Sequence, residues 1–334
     1  MGIEERKMAN VAVIGAGSWG IALSKVLHTN GNQVTVWSIV EDEIAMLREK
    51  HEHLQKLPGV KLPEDMTFTT DLKAAVESGE YLILAVPSVF TRSTAKSMAP
   101  FVKNGQVIVC VAKGIEEATL MTLSDIVEQE IPQAEVAVMC GPSHAEEVGI
   151  GLPTTVVAGA KKRKVAEGIQ DIFMNSVFRV YTSPDVLGME LGGSLKNVIA
   201  LAAGMADGLG YGDNTKAALI TRGMFEMSKL AMTMGAKAET MNGHTGIGEL
   251  IVTCESRHSR NRKAGMLIVQ GYTMQQAMDE VKMVVEGVYS AKAAIALAKK
   301  YGIEMPIIEE VNRVLFEDKP AKEAVNELML RDKK

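Results

Sequence analysis

The sequence predicts an α/β protein in which an N-terminal doubly wound parallel sheet is followed by a second, all-α domain. Two observations predict this class. Up to about residue 187, short apolar runs rich in β-branched residues alternate with helical stretches. After that point the strand-like runs stop, and the remaining periodic stretches are helical. We therefore predict two domains, residues 1–187 and residues 188–334.

The apolar runs of the first domain are continuous, which is typical of strands covered by helices on both faces. The predicted strands are residues 10–17, 33–37, 81–88, 105–114, 135–143, 154–159 and 178–183, and residues 71–78 and 121–130 suit crossover helices. The predicted helices of the second domain are residues 189–206, 214–234, 246–256, 260–270, 273–280, 288–301 and 306–316. We expect Asp213 or Asn214 to cap the second of these helices.

Composition and charge disfavour several function classes. The chain is 47% hydrophobic with a net charge of −5, so no global attraction to nucleic acid or to an anionic membrane follows. The N-terminus lacks the apolar core of a secretory signal, and no uninterrupted apolar run reaches the ~18 residues of a membrane span. The three scattered cysteines predict reduced, mostly buried thiols in a cytoplasmic protein, with a catalytic thiol as the alternative. No metal site is predicted.

The stretch VAVIGAGSWG contains a glycine motif, in which Gly15, Gly17 and Gly20 follow a strand and begin a helix. The first glycine permits a tight turn, the second lets the backbone approach a pyrophosphate, and the third lets the helix pack on its strand. Phosphates would bind the N–H groups at the helix N-terminus. The stretch predicts a Rossmann-type site for NAD or NADP, with a ligand-free glycine turn as the alternative.

The end of the second predicted strand does not choose between the two dinucleotides. An acidic residue about 20 residues after the glycine motif would bind the ribose 2′-OH of NAD, and an arginine would accommodate the 2′-phosphate of NADP. Ser38 and Ile39 occupy that place, and Glu41 and Asp42 follow slightly later. The sequence therefore leaves both cofactors open.

Polar residues and glycines also follow other predicted strands of the first domain. Ligands of such sheets bind beyond the carboxyl ends of the strands. This rule predicts one crevice lined by Pro87, Ser88, Lys113, Gly114, Gly141, Pro142 and Ser143. Two of these residues have simpler alternatives. Lys113 could be a solvated loop lysine, and Ser143 could form a helix-capping box with Glu146.

Lys196 lies in the run GGSLKNVIALAAG, which is otherwise mostly small or aliphatic. On a helix it would share a narrow face with Gly192, Ile199, Ala200 and Ala203, which leaves room for a ligand. A desolvated lysine has a lowered pKa and can act as a base. The alternative is a lysine whose side chain extends along its helix to water. The segment alone does not decide between the two.

Four basic residues stand close together in CESRHSRNRKAG, namely Arg257, Arg260, Arg262 and Lys263. Ser259 fits an N-cap, which would put Arg260 and Asn261 in the first turn of a helix. A capped helix start with an arginine suits a small phosphate. The alternative is a charged, solvated helix end. A nucleic-acid patch is disfavoured because no aromatic residues interleave with the cluster.

Taken together, these motifs resemble the bacterial-type NAD(P)-dependent glycerol-3-phosphate dehydrogenases. The likeness runs from about residue 9 to about residue 320, through IGAGSWG, LPGVKLP, AVPS, AKGIE, GPSHAEEV, GGSLKNVIALAAG, TCESRHSRNR and VVEGVYSA. The resemblance implies a homodimer that reversibly reduces dihydroxyacetone phosphate to sn-glycerol 3-phosphate by hydride transfer, for glycerophospholipid synthesis. The alternatives are another two-domain hydroxy-acid or hydroxyacyl dehydrogenase, or a non-catalytic dinucleotide sensor.

The resemblance also implies residue roles. Lys196 is the expected general acid/base, Lys113 is expected to contact substrate and cofactor, and Glu249 is expected to hold the substrate and orient the lysine. The implied cofactor-binding positions are Gly15, Gly17, Ser18, Trp19, Gly20, Lys113, Ala145, Arg260, Val284 and Glu286. The implied substrate-binding positions are Lys113, Gly141, Ser143, Lys196, Glu249, Ser259, Arg260 and Asn261.

The chain departs from the family pattern at two places. Glu249 stands in GIGELIVTC where the family usually has an aspartate, so its carboxylate lies one methylene further from the backbone. The strand end WSIVEDE lacks the arginine that many relatives carry and that favours NADP.

Overall fold

The computed structural model describes residues 8–332, whose contacts divide into two units. The first unit consists of residues 8–112 and Leu123–Val186, and the second consists of Lys113–Thr122 and residues 187–332. Each unit has its own buried apolar core. This division differs from the predicted domains chiefly in the segment Lys113–Thr122. That segment belongs with the second unit because Ile115 is buried in the second core.

The strands of the first unit are β1 (Asn10–Ile14), β2 (Gln33–Trp37), β3 (Thr67–Thr69), β4 (Tyr81–Leu84), β5 (Val107–Cys110), β6 (Glu135–Cys140), β7 (Thr154–Ala160) and β8 (Phe178–Ser183). Within the described residues they form one sheet in the order β3-β2-β1-β4-β5-β6-β7-β8. Neighbouring strands are parallel except β6 and β7. The predicted doubly wound sheet is confirmed.

Two features of the sheet were not predicted. The edge strand β3 has only three residues, too few to give a periodic signal. β6 and β7 are antiparallel, and their connection contains only a helix of five residues, Ala145–Gly149. A parallel pair needs a crossover of a dozen or more residues that is usually built on a full helix, so this connection suits the antiparallel arrangement.

The helices of the first unit are α1 (Ser18–Thr29), α2 (Glu41–Lys50), α3 (Leu72–Ser78), α4 (Thr91–Met98), α5 (Leu123–Glu130), α6 (Ala145–Gly149) and α7 (Arg163–Phe173). β1 is flanked by β2 on one side and by β4 on the other, and Val11 to Ile14 are almost fully buried. The strand order therefore reverses beside β1, and ligands of open α/β sheets bind at such a switch point.

The helices that follow are α8 (Val186–Gly208), α9 (Asp213–Thr233), α10 (Ala238–Met241), α11 (Glu249–Glu255), α12 (Arg260–Val269), α13 (Met274–Val281), α14 (Glu286–Tyr301), α15 (Pro306–Phe316) and α16 (Ala321–Met329). A π-helical turn, His244–Gly248, leads into α11. No strand occurs after β8 within the described residues, so the predicted all-α character of this half is confirmed.

Helix α8 runs through the core of the second unit. By length and composition alone it could cross a membrane, but 78% of its most apolar window is buried inside the protein. Helix α12 approaches α8 unusually closely. A Cβ on Gly204 would lie 1.9 Å from the carbonyl oxygen of Arg262, and a Cβ on Gly265 would lie 2.1 Å from that of Leu201. The backbones of α8 and α12 are therefore in direct contact, which only glycine permits at these positions.

The structure corrects one predicted helix cap, argues against the capping alternative for Ser143 and confirms the cap at Ser259. Helix α9 begins at Asp213 with Gly212 as its N-cap, so neither Asp213 nor Asn214 caps it. Helix α6 begins after His144, and the Ser143 hydroxyl donates to the carbonyl oxygen of Gly141 at 2.8 Å instead of capping the helix. Short polar side chains make such local bonds when a turn brings a carbonyl within reach. Ser259 caps α12 as predicted, accepting from the N–H of Arg262 at 3.2 Å.

Candidate active site

The glycine motif of the first unit has the geometry expected of a dinucleotide-binding turn. Gly15 has a φ of +123°, and a Cβ there would lie 2.8 Å from the backbone of Ala85. A Cβ on Gly20 would lie 2.1 Å from the carbonyl oxygen of Gly15. Gly17 differs, because among the described residues no heavy atom outside Gly17 and its two chain neighbours lies within 4 Å of the position that its Cβ would occupy. The first and third glycines are thus required by packing, while the second leaves open space for a ligand.

The start of α1 can receive an anion. Gly17 is its N-cap, and no side chain caps this helix start. Ser18 and Trp19 are the first two helical residues, so their backbone N–H groups belong to the orphan donors of the first turn. Such donors, reinforced by the helix dipole, bind phosphate groups. The turn therefore fits the pyrophosphate of a dinucleotide.

The first turn of α2, just after β2, carries a carboxylate that the sequence reasoning missed, that of Glu43. The Ser38 hydroxyl donates to Oε2 of Glu43 at 2.7 Å, and Lys56 forms an ion pair with the same carboxylate. Burial raises the pKa of Glu43, but His53, whose Nε2 lies 3.7 Å away, and the hydrogen bonds from Lys56 and Ser38 outweigh it and lower the pKa to about 2. Glu43 is therefore a fixed anion close to the place where the dinucleotide ribose is expected.

The other strand-end residues separate into two groups. Ser88 begins a short helical turn after β4, Gly141 follows β6, and Ala145 is buried at the start of α6, all in the first unit. Lys113, predicted in the same crevice, is the third residue after β5. Its ammonium group pairs with Glu249, and the segment that carries it belongs to the second unit.

Glu249 is the centre of a buried charge cluster in the second unit. It is the first residue of α11, and its side chain is 0% exposed. One carboxylate oxygen, Oε1, pairs with Nζ of Lys113, and the other, Oε2, pairs with Nζ of Lys196. The Lys196 side chain is 7% exposed, so it does not extend to water. The longer side chain of glutamate reaches both lysines from this position.

The two lysines determine the charge of this cluster. Burial raises the pKa of Glu249, but the adjacent ammonium groups of Lys113 and Lys196 lower it to about 2. Glu249 is therefore ionised at neutral pH. Two ammonium groups and one carboxylate leave one net positive charge in a nearly water-free site. Such a site favours an anionic ligand and an oxygen on which negative charge develops.

Thr253 is a member of this cluster that the sequence reasoning missed. Its hydroxyl lies 2.6 Å from Nζ of Lys196 and donates to the backbone carbonyl oxygen of Glu249 at 2.7 Å. Thr253 lies one helical turn after Glu249, so both side chains can reach the same lysine. That spacing was the available signal. Thr253 and Glu249 together fix the direction in which Lys196 presents its ammonium group.

Asn261 connects three of the predicted site segments. Its side-chain nitrogen donates to Oδ1 of Asn197 at 2.9 Å, and its Oδ1 accepts from the backbone N–H of Gly287 at 2.8 Å. Asn197 follows Lys196, and Gly287 follows Glu286. These bonds fix the orientation of the Asn261 side chain and use one of its two amide N–H donors, so both its side chain and its backbone N–H can donate to a ligand.

The start of α12 matches the predicted phosphate site. Ser259 is buried and caps the helix, while Arg260 is exposed at the first helical position. The Arg260 side chain makes no hydrogen bond or ion pair with another residue of the described range 8–332. An unengaged guanidinium beside the free N–H groups of a helix start is a suitable anion site. The predicted residues Val284 and Glu286 lie just before α14 and at its first position.

Comparisons with known proteins agree with this geometry. Two family models match the chain: the N-terminus of NAD-dependent glycerol-3-phosphate dehydrogenase over residues 10–166, and its C-terminus over residues 185–326. The glycerol-3-phosphate dehydrogenase [NAD(P)+] of Agathobacter rectalis is 77% identical over 98% of this chain and 97% of its own length. That of Bacillus subtilis is 50% identical over 98% and 95%. The crystal structure of glycerol-3-phosphate dehydrogenase from Coxiella burnetii aligns with a TM-score of 0.93 at 36% identity, over 97% of this chain and 99% of that one.

Proposed function

Because the chain belongs to the family of NAD-dependent glycerol-3-phosphate dehydrogenases, we propose that it interconverts dihydroxyacetone phosphate and sn-glycerol 3-phosphate. It is an NAD(P)-dependent oxidoreductase that acts on a CH–OH group, and its product feeds glycerophospholipid synthesis. The observation that carries the proposal is the buried Lys113–Glu249–Lys196 cluster in the same unit as the phosphate-type start of α12. A non-catalytic dinucleotide sensor would need neither feature.

The cofactor is NAD or NADP. When bound, it supplies the hydride for reduction and accepts the hydride in the reverse direction. Gly15, Gly17 and Gly20 would form the turn around its pyrophosphate, and the N–H groups at Ser18 and Trp19 would bind the phosphate oxygens. The remaining positions proposed to contact it are Lys113, Ala145, Arg260, Val284 and Glu286.

Lys196 is the proposed general acid/base. During reduction its ammonium group donates a proton to the C2 oxygen of the substrate, and during oxidation the amine takes that proton back. Lys113 adds a second positive charge near the developing alkoxide. Glu249 stays ionised and orients both lysines, and this role is supported by the ion pairs that its two carboxylate oxygens form.

The start of α12 is the proposed phosphate site. Arg260 and the N–H groups of the first turn would bind the phosphate, Ser259 holds the helix start in place, and Asn261 contributes N–H donors from its backbone and side chain. Binding energy from this remote group orients C2 for reaction. Gly141 and Ser143 are the further positions proposed to touch the substrate.

The test of this function is reduction of dihydroxyacetone phosphate, followed by the loss of absorbance of NADH or NADPH. We expect activity in the wild type and a loss in kcat of at least ~100-fold in Lys196→Ala, since positioned proton transfer contributes about 10²–10⁴-fold. The variant should still bind the dinucleotide. Lys292→Ala, which removes an exposed lysine from the same unit, is the matched control. Near-wild-type turnover in Lys196→Ala would refute the assignment of Lys196.

We also propose that the protein is a cytoplasmic homodimer. The buried thiols Cys110, Cys140 and Cys254 suit a reducing compartment. Exposed Phe225 and Ile251 line an apolar groove of about 830 Å³ on the second unit, and contiguous apolar surface of this kind is typical of subunit contacts. Light scattering should give about twice the chain mass of 36.0 kDa. A monomer at micromolar concentration would contradict this proposal.

A further inference from the structure

A second charge cluster, outside the groups assigned above, lies at the end of α8. Asp207 is one residue before the end of this helix, and its side chain is 12% exposed. Its Oδ2 accepts from Nε of Arg262 at 2.5 Å, and its Oδ1 lies 2.8 Å from Nζ of Lys216. A single carboxylate therefore connects α8 to the first turns of α12 and α9.

The burial of this cluster makes it more than a surface ion pair. The side chains of Arg262 and Lys216 are 21% and 13% exposed, so all three groups are largely withdrawn from water. Removing one partner of a buried pair leaves an uncompensated charge, whereas removing an exposed pair changes little. Glu255 lies 3.7 Å from Lys216 and is about half exposed, so it only weakly replaces Asp207.

Arg262 is held at both ends. Its backbone N–H donates to the capping hydroxyl of Ser259, and its guanidinium group donates to Asp207. Its carbonyl oxygen lies against the backbone of α8 at Gly204, one turn before Asp207. Arg262 is thus the residue through which the first turn of α12 is fastened to α8.

We propose that Asp207 is a positioning residue for the substrate phosphate. It acts through Arg262, which lies two positions after Arg260, and it fixes the first turn of α12 on the helix that also carries Lys196. The N–H groups of that turn and the Arg260 side chain bind a phosphate only when their direction is held within narrow limits. This inference rests on the proposed phosphate site at Ser259, Arg260 and Asn261.

The test compares two substrates that differ by the phosphate group. Rates with dihydroxyacetone phosphate and with unphosphorylated dihydroxyacetone are measured at saturating cofactor for the wild type, Asp207→Asn and Asp207→Glu. We expect Asp207→Asn to lower kcat/KM for the phosphorylated substrate at least ~10-fold, and to change the value for dihydroxyacetone by less than about 3-fold. Asp207→Glu keeps the carboxylate and should restore part of the loss.

Matched variants separate a positioning role from a general effect on folding. Asp279→Asn removes an exposed aspartate of α13 and should change neither rate. If Asp207→Asn does not fold, Arg262→Lys removes the Nε contact while keeping a cation at that position, and the same selective loss is expected. An equal loss on both substrates, or no loss in a folded variant, overturns the inference.

Arg260→Ala serves as the reference for the phosphate site itself. A selective loss in Arg260→Ala without one in Asp207→Asn would leave the phosphate site standing and overturn the role of Asp207. If Arg260→Ala also changes kcat/KM by the same factor for both substrates, the proposed phosphate site is wrong. The inference about Asp207 is then wrong as well.

Discussion

At the scale of single residues, Glu249 carries the most information. The sequence shows a carboxylate where the family usually has an aspartate, and the structure shows that its two oxygens are shared between Lys113 and Lys196. A buried carboxylate between two ammonium groups is stable only while both partners are present, since either charge alone would be expensive to bury. Glu249 therefore determines both the local stability and the orientation of the proposed base.

Glu249→Gln should impair stability and catalysis together. Its carboxyl pKa is lowered from 4.5 to about 2, so the stabilisation is fully present above pH 4.5 and is lost as the pH falls towards 2. At pH 7 the contribution is up to about 3 kcal/mol, since one pKa unit corresponds to about 1.4 kcal/mol. Denaturant unfolding at pH 7 and at pH 4 should show a larger difference from wild type at pH 7.

Glu249→Asp is the matched comparison because it keeps the charge and shortens the reach. We expect Glu249→Asp to retain far more activity than Glu249→Gln, whose neutral amide leaves two buried ammonium groups without a counter-ion. Equal activity in Glu249→Gln and the wild type would contradict the role given to this carboxylate.

At the scale of elements, the N–H groups at helix N-termini are suited to two purposes, anion binding and contacts between helices. The starts of α1 and α12 offer N–H groups to ligands, and the second is ordered by a serine cap. The start of α15 is different. Its first N–H groups donate to a buried carboxylate from α9, Glu226, at 3.0 Å from Ile307 and 3.4 Å from Ile308. The same backbone feature is therefore proposed to bind ligands in two helices, and it serves packing in a third.

Glu226→Gln should alter the pH dependence of stability. Burial raises the pKa of Glu226 to about 7, above its ordinary 4.5, despite the two backbone hydrogen bonds. The group's contribution is complete below pH 4.5 and is lost as the pH rises through 7. The glutamine variant should therefore gain stability relative to wild type between pH 5 and pH 8, by up to about 3 kcal/mol. Thermal unfolding of the variant and the wild type at pH 5 and at pH 8 measures this gain. Glu323→Gln, at an exposed position of α16, is the control. A stability difference between Glu226→Gln and the wild type that does not change with pH would refute the prediction.

In the glycine turn before α1, one substitution should affect cofactor binding and another should affect folding. Gly17→Val places a side chain in open space, so we expect unfolding of the cofactor-free protein to change by less than about 0.5 kcal/mol. NADH affinity should fall at least ~10-fold, because the added carbons occupy the place of the pyrophosphate. Gly15→Val should instead destabilise the protein itself, because of its positive φ and the contact with Ala85. NADH titration and thermal unfolding distinguish the two, and unchanged NADH affinity in Gly17→Val would place the pyrophosphate elsewhere.

At the scale of the whole molecule, the chain passes between its two units more than once. It leaves the sheet after β5, contributes Lys113–Thr122 to the helical unit, and returns to the first unit at Leu123. Ile115 packs in the helical core, and Lys113, two residues earlier, reaches Glu249. A residue between two strands of the sheet thereby completes a site built on helices.

Ile115→Ala should destabilise the helical unit and lower activity through Lys113. A buried isoleucine replaced by alanine costs about 2–5 kcal/mol. Met329→Ala, at a methionine that is 80% exposed in the same unit, should cost much less. Denaturant unfolding with a matched activity assay tests both. Equal effects of the two substitutions would mean that Lys113–Thr122 is not part of the helical core.

Glu249 entered only through the resemblance to the family. The sequence by itself determined the fold class, the glycine turn and the cap of α12, and it singled out the two candidate lysines, Lys113 and Lys196. These features depend on local periodicity, on backbone requirements of single residues and on motifs of fixed spacing. It missed short elements and local bonds, such as β3 and the bond from the Ser143 hydroxyl to Gly141, because few residues carry their signal.

Only the tertiary structure decided which distant residues meet. It brought Lys113 and Lys196 to the two oxygens of one carboxylate, added Thr253 to them, and joined Asp207 to Arg262 across two helices. Burial then set the charge state of Glu249, since its pKa depends on both lysines and on the exclusion of water. Such contacts join residues tens of positions apart, and no spacing in a single sequence encodes them.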